Sequence, residues 1–354
     1  MKIHIFTTEC NYNYSLLKLL EKNINIDEHL FVFRRKKSGK YEYGHYLDSK
    51  ILFIENFSKL IRELLPKLKQ SEQIFFHYLP YGPSLFLWYF TPKLLKKSTW
   101  IIWGGDVYVY RNKWKSLKAF IYEILRSKII KQFPRIAAFV KGDFEIVCRI
   151  YKTKAVYQPI LYPIPIDFQL LSSLKKDYKS SGKKRILLGN SADPSNAHLE
   201  IINDLRAHKD KDFEIICPLS YNGSQEYIEN VIKMGQNIFG NRFIPLLSSI
   251  APNDYTNILL SIDVAIMNHK RQQGLGNILP VLFLEKKVYL RSDITSFLFF
   301  KKLGCKVYDT LMLKNDTFDT LFEADSIGFK NNAIIIQKLV SEQNCAQLWK
   351  NLIE

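Results

Sequence analysis

The sequence is short of cysteine, of acidic residues and of long apolar runs. Its five cysteines (Cys10, Cys148, Cys217, Cys305, Cys345) are scattered, and none stands in a CxxC pair. That excludes a disulfide framework and a zinc cluster and points to a reducing cytosol. Only 15 glycines and 13 prolines occur in 354 residues, which excludes a collagen-like rod. The most apolar window, Ile74–Phe90, is interrupted by His77, Pro80, Gly82 and Pro83. It does not supply the ~20 apolar residues of a membrane-spanning helix. The start, Met1-Lys2-Ile3-His4-Ile5-Phe6-Thr7, has too short an apolar run for an export signal and reads as a strand. Acid is scarce too: 34 Asp and Glu stand against 51 Lys and Arg, a formal charge of +17. With 47% hydrophobic and 24% charged residues, the chain is otherwise an ordinary globular protein rather than a disordered tail.

What is present is alternation. Ile3–Thr7, Leu30–Phe33, Ile51–Glu55, Ile74–His77, Trp100–Trp103 and Ile136–Val140 read as strands. Helical patterns at Tyr14–Lys22, Phe57–Gln70 and Lys113–Lys131 sit between them. In Phe57–Gln70 the apolar residues Phe57, Leu60, Ile61, Leu64, Leu65 and Leu68 fall on one helical face, and Pro66 predicts a kink or an early end. The polar stretch 171–184 reads as a linker. After it the pattern restarts with strands at Arg185–Leu188, Phe213–Cys217, Phe243–Leu246, Ile262–Met267 and Val288–Arg291. A last amphipathic helix covers Ala333–Ile353. Strand–helix alternation means parallel sheets with crossover helices, and 354 residues exceed the roughly 250–300 that one core serves. The expected fold class is therefore α/β, two Rossmann-like parallel-sheet domains facing a cleft, by analogy GT-B. The expected domains are 1–175 and 176–354, with the final helix able to pack back on the first.

Three segments carry chemistry. Leu188-Gly189-Asn190-Ser191-Ala192-Asp193-Pro194-Ser195-Asn196 leaves a strand and opens a helix. Open α/β sheets bind ligands beyond the carboxyl ends of their strands. Gly189 permits close backbone approach, and Ser191, Asp193, Ser195 and Asn196 are helix-capping types. A helix start of this kind favours an anionic pyrophosphate; it reads equally as a plain strand–turn–helix cap. The second segment, His269-Lys270-Arg271-Gln272-Gln273-Gly274-Leu275-Gly276-Asn277, also joins a strand to a helix. Lys270 and Arg271 are placed to supply fixed cations for a diphosphate, with Gly274 and Gly276 bringing backbone N–H groups close; the segment reads alternatively as a solvated basic turn. The third is Trp103-Gly104-Gly105-Asp106 at a strand end. There Asp106 is placed to position or deprotonate an acceptor hydroxyl, or to act as an N-cap. His77 holds the same strand-end position, either as a second catalytic candidate or as a satisfied core histidine.

These segments together resemble glycosyltransferase family 56, the bacterial Fuc4NAc (4-acetamido-4,6-dideoxygalactose) transferases of enterobacterial common antigen synthesis. The resembling stretches are Phe75-Phe76-His77, Trp103-Gly104-Gly105-Asp106-Val107-Tyr108, Lys141-Gly142-Asp143, Leu188-Gly189-Asn190-Ser191, Glu226-Tyr227-Ile228 and Arg271-Gln272-Gln273-Gly274-Leu275-Gly276. They run in the same order over about residues 70–285, and depart from the family pattern at Gly105, Pro194 and Asn277. The resemblance implies a GT-B enzyme with a dTDP-activated amino-deoxysugar donor. It also implies a polyprenyl-diphosphate-linked acceptor at the cytoplasmic face of the inner membrane, and retention of configuration. UDP- or GDP-sugar transfer and a nonenzymatic sugar-nucleotide-binding module are the alternative readings.

Residues 111–135 carry Lys113, Lys115, Lys118, Arg126, Lys128 and Lys131 with one acid, Glu123, interleaved with Trp114 and other apolar residues. A basic amphipathic segment of this kind attracts anionic headgroups, so it is the expected peripheral membrane and acceptor patch. Nucleic-acid signatures are absent, and no nucleic-acid partner is expected. No cofactor or metal is expected either. The one DxD match, Asp210-Lys211-Asp212, precedes a strand, the wrong end of a sheet for a ligand.

Overall fold

The computed structural model describes every residue except Arg35, Lys36, Ser180 and Ser181. It forms two compact units, Met1–Pro165 with Val340–Glu354, and Ile166–Leu339.

The first unit is a parallel sheet of β1 (Lys2–Phe6), β2 (His29–Phe33), β3 (Ile51–Phe53), β4 (Gln73–His77), β5 (Ser98–Ile101), β6 (Arg135–Ala138) and β7 (Val156–Pro159). Their spatial order is β3-β2-β1-β4-β5-β6-β7. The second contains β8 (Lys184–Leu188), β9 (Phe213–Pro218), β10 (Phe243–Leu246), β11 (Val264–Met267), β12 (Lys287–Leu290) and β13 (Tyr308–Asp309), in the order β10-β9-β8-β11-β12-β13. Every ladder in both sheets is parallel. Helices cover both faces, so central strands such as β11 are buried along their whole length. Both orders reverse direction beside the first strand of their unit, at β1/β4 and at β8/β11. That is where a doubly wound sheet opens a crevice for ligands.

Four expectations are corrected. Pro66 does not end its helix: helical turns run from Phe57 to Gln70, with a π-helical turn at Leu60–Leu64 just ahead of the proline. Pro66 has no N–H to give and its ring crowds the carbonyl one turn earlier, and a wider turn accommodates both. The expected linker at 171–184 is helical through Asp177, its Ser180 and Ser181 lying outside the described residues. Asp167 caps that helix by accepting from the N–H groups of Gln169 and Leu170, and Phe168 meets Phe283 edge to face. The helix therefore belongs to the second unit, whose boundary falls at Pro165/Ile166 against the expected 175/176. The expected final helix Ala333–Ile353 is two, Ser326–Leu339 and Glu342–Ile353. The Ser341 hydroxyl accepts from Asn344 N–H and starts the second one.

Candidate functional site

The loops after β8 and β11 leave neighbouring strands at the reversal point of the second sheet. They are joined to each other by side chains. The Asn196 amide is fully buried. Its Oδ1 accepts from the Asn190 N–H at 3.1 Å and from His269 Nε2 at 2.9 Å, and its Nδ2 donates to Asp193 O at 3.0 Å. Ser195 Oγ donates to Gln273 Oε1 at 2.8 Å, and the Lys270 N–H donates to Ser195 O at 2.7 Å. Arg271 Nη2 reaches Asp193 Oδ2 at 3.0 Å. Two segments far apart in sequence thus form one structure.

Both glycines are sterically required. Gly189 has φ +70°, and a Cβ there would lie 2.5 Å from His198 Nε2 and 2.8 Å from Asn196 Oδ1. At Gly274, φ +71°, a Cβ would lie 2.6 Å from His269 Cε1 and 3.5 Å from Asn190 Cγ. The first loop therefore passes directly beside the second. Gly274 also precedes the nine-residue helix Leu275–Phe283, which starts without a side-chain cap. The first N–H groups of such a helix lack intrahelical partners and carry the positive end of the helix dipole.

The charge at this junction comes from Arg271 and Lys270, because the imidazoles are neutral. Burial lowers His198 to about 4; burial, aided by Arg271, lowers His269 to about 3. Burial alone would raise the Asp193 carboxyl, but the Ser195 hydroxyl and N–H and Arg271 outweigh it and hold it below its ordinary value. Lys270 points at Glu200, 2.5 Å away, and Glu200 also meets Arg291 at 3.3 Å and Asn268 at 3.2 Å. Of the expected donor residues, Gly189, Asn190, Asp193, Ser195, Asn196, Arg271, Gln273 and Gly274 come together directly. Ser191 is buried beneath them and Asn196 Nδ2 lies 3.4 Å from its hydroxyl. Gln272 is buried, Gly276 lies in the first turn of the helix, and Asn277 Oδ1 accepts from Tyr255 OH at 2.5 Å. Glu200, Tyr221 and Arg291 are the neighbours that motif reading missed. Each is an isolated charge or ring in the sequence, with nothing beside it to mark its partner.

The expectations for Asp106 and His77 are corrected. Asp106 is fully buried. Its carboxylate accepts from Trp100 Nε1 at 2.8 Å and from the N–H groups of Trp103 at 3.0 Å and Leu79 at 3.2 Å. It ties the ends of β4 and β5 together and presents nothing to a substrate. His77 is also buried and uses both ring nitrogens. Nε2 meets His4 Nδ1 at 3.0 Å and Nδ1 meets the Tyr162 hydroxyl, while His4 continues to His29 at 3.1 Å. Burial holds His4 and His77 well below the ordinary imidazole value.

The family model for 4-alpha-L-fucosyltransferases, glycosyl transferase group 56, matches residues 3–291. The chain belongs to glycosyltransferase group 56. Solved structures agree on the fold. A glycosyltransferase from Rickettsia africae shares 14% identity at TM-score 0.65, with 99% of this chain and 96% of that one covered. Anabaena HepE in complex with UDP-glucose shares 11% identity at TM-score 0.67, covering 100% and 99%. WaaG, a glycosyltransferase of lipopolysaccharide biosynthesis, shares 10% at TM-score 0.60, covering 99% and 98%. The two parallel-sheet units are those of a GT-B glycosyltransferase.

In this group 56 transferase no helix among the described residues is long and apolar enough to cross a membrane. The basic segment forms the helix Leu117–Ile130, capped by Ser116. Leu117, Ile121 and Ile124 lie on one exposed face, and Trp114, 75% exposed, precedes it. Lys115, Lys118, Lys128 and Lys131 are exposed, and Lys113 lies over the Trp114 ring. Arg126 is the exception and a correction to the expected patch. It is fully buried, donating to Asp106 O at 2.6 Å and to Tyr151 OH and lying over the Trp100 ring.

Two outcomes follow from this chemistry. Asp106→Asn presents an N–H to donors that need an acceptor. It should cost about 1–3 kcal/mol in urea unfolding while turnover per folded molecule is retained; lost turnover at unchanged stability would restore a catalytic role. The lowered histidines bind protons more readily unfolded than folded, so their stabilisation is complete above about pH 6.5 and is lost as pH falls. His198 and His269 should each remove up to about 1.4 kcal/mol per pH unit below that point. Urea midpoints that stay constant from pH 7 to pH 5 would contradict this.

Proposed function

We propose that this transferase moves an amino-deoxysugar of the Fuc4NAc type from a dTDP-linked donor to a polyprenyl-diphosphate-linked saccharide. The donor diphosphate lies between Gly189–Asn196 and Arg271–Asn277. The observation that carries this reading is the joining of those two loops through Asn196, Ser195 and Asp193, with the uncapped start of Leu275–Phe283 beside them. The binding of UDP-glucose by Anabaena HepE, of the same fold, supports a nucleotide-sugar donor, and group 56 membership supports the sugar class.

The geometry supports a charge-exchange role for the two carboxylates. Asp193 holds Arg271 and Glu200 holds Lys270, and both cations belong to the loop that leads into the helix start. A diphosphate carries more charge than either carboxylate and draws the guanidinium bidentately. As the sugar–phosphate bond breaks, negative charge grows on the departing diphosphate, and Arg271, Lys270 and the first N–H groups of the helix stabilise it. Transfer proceeds with retention and without a metal ion, the charge being met by these groups. The exposed apolar face of Leu117–Ile130, with Trp114 and the lysines around it, docks on an anionic membrane that holds the acceptor. Such surfaces attract cationic segments with about 1 kcal/mol per Lys or Arg.

Arg271→Ala should weaken dTDP more than ten-fold in calorimetry, about 1.4 kcal/mol, and unchanged affinity would reject the diphosphate site. In a thermal-shift series dTDP should stabilise the protein more than UDP, GDP or CMP. A larger shift with another base would overturn the donor assignment while leaving the diphosphate site standing. In flotation the protein should follow anionic vesicles, and Trp114→Ser with Leu117→Ser should reduce recovery. Equal recovery on neutral vesicles would remove the electrostatic docking.

A further inference from the structure

A third loop closes on the two already described. β9 ends at Pro218, and the residues that follow are clamped onto the first glycine loop by backbone contact. The Ala192 N–H donates to Tyr221 O at 2.9 Å. A Cβ on Gly223 would collide with the side chain and carbonyl of Ala192, so only glycine lets the loop lie this close. The clamp fixes one ring. The Tyr221 hydroxyl accepts from Asn190 Nδ2 at 3.1 Å, and Asn190 is the residue whose Cγ lies against Gly274. Tyr221 is nevertheless 50% exposed. A large aromatic side chain held at its backbone and at its hydroxyl has already lost much of its freedom, so its exposed half is a preorganised surface. The other atom of the Asn190 amide, Oδ1, is buried and has no hydrogen-bond partner among the described residues, which leaves an acceptor at the same spot.

We propose that Tyr221 is the stacking platform for the nucleobase of the donor. This inference rests on the diphosphate reading above and adds the part of the nucleotide that reading leaves unplaced. The diphosphate is gripped by the β8 and β11 loops, and the third loop, bonded to the same asparagine, holds the one exposed ring among the described residues of the three loops, since the His269 imidazole is buried. Phosphate and sugar hydroxyls are served by polar groups, whereas a planar base gains from an aromatic face. Such stacking tolerates any base, so Tyr221 supplies affinity and leaves the choice among bases to other contacts. Sequence reading passes over it because Ser220-Tyr221-Asn222-Gly223 looks like a plain turn.

The test is calorimetry on the full chain with dTDP, UDP, inorganic pyrophosphate and a dTDP-hexose, in the wild type and in Tyr221→Ala and Tyr221→Phe. Tyr221→Ala should weaken dTDP and UDP alike by about ten-fold or more, the scale of one base–aromatic stack, and leave pyrophosphate unchanged. Tyr221→Phe keeps the ring and should lose much less. Unchanged dTDP affinity in Tyr221→Ala overturns the proposal. So does a loss confined to the dTDP-hexose, which would turn the ring toward the sugar, and so does an equal loss of pyrophosphate, which would make Tyr221 a prop of the loops. A wild type that binds dTDP but discriminates no Arg271→Ala variant would remove the diphosphate grip while the Tyr221 comparison still stands.

Discussion

One buried amide organises the second unit. Asn196 accepts from the backbone of the β8 loop and from His269 of the β11 loop, and donates back to its own loop. A hydrogen bond of this kind is worth only about 1 kcal/mol net, yet leaving such a group unpaired in the interior costs more. Much around it follows from that need. Gly189 is glycine because a side chain would displace Asn196 or His198. His269 presents Nε2–H because the amide oxygen needs a donor, and it stays neutral because it is buried. Positive charge thereby falls to side chains held by carboxylates, Arg271 by Asp193 and Lys270 together with Arg291 by Glu200.

The first unit uses its polar residues differently. Asp106, Arg126, Glu123 and Tyr151 form a connected buried group that fastens the helix Leu117–Ile130 to the end of β5. The same helix turns Leu117, Ile121 and Ile124 outward. A rigid polar anchor on the inner face is what allows an apolar outer face to stay exposed without the helix rotating to bury it. His29, His4 and His77 make a second buried chain across the sheet that ends on Tyr162, and burial favours their neutral forms.

The legible part of the fold was the part governed by periodicity. Apolar runs of four or five residues gave the central strands, because a parallel strand covered on both faces has no polar alternation to confuse it. Two of the four edge strands escaped: β7 ends in Pro159 and is half exposed, and β13 has two residues. The helix Phe168–Asp177 was hidden by its lysines and serines, since its stability comes from Asp167 and from Phe168 and Leu171 rather than from a broad apolar face. In the site, the glycine loops were legible because strand–Gly–polar–helix is a local pattern. Asp106, His77 and Arg126 read differently in sequence because sequence shows a polar group but not its partners, and each has at least one partner tens of residues away. Tyr221 had no local signature at all.

The central claim is that the loops after β8 and β11 jointly hold the donor diphosphate. A crystal structure with a bound nucleoside diphosphate tests it most directly. The account predicts both phosphates against the N–H groups that start Leu275–Phe283, with Arg271 released from Asp193 to meet them and Gly189–Asn190 alongside. Phosphates bound elsewhere on the chain, with the Arg271–Asp193 pair intact, would contradict it.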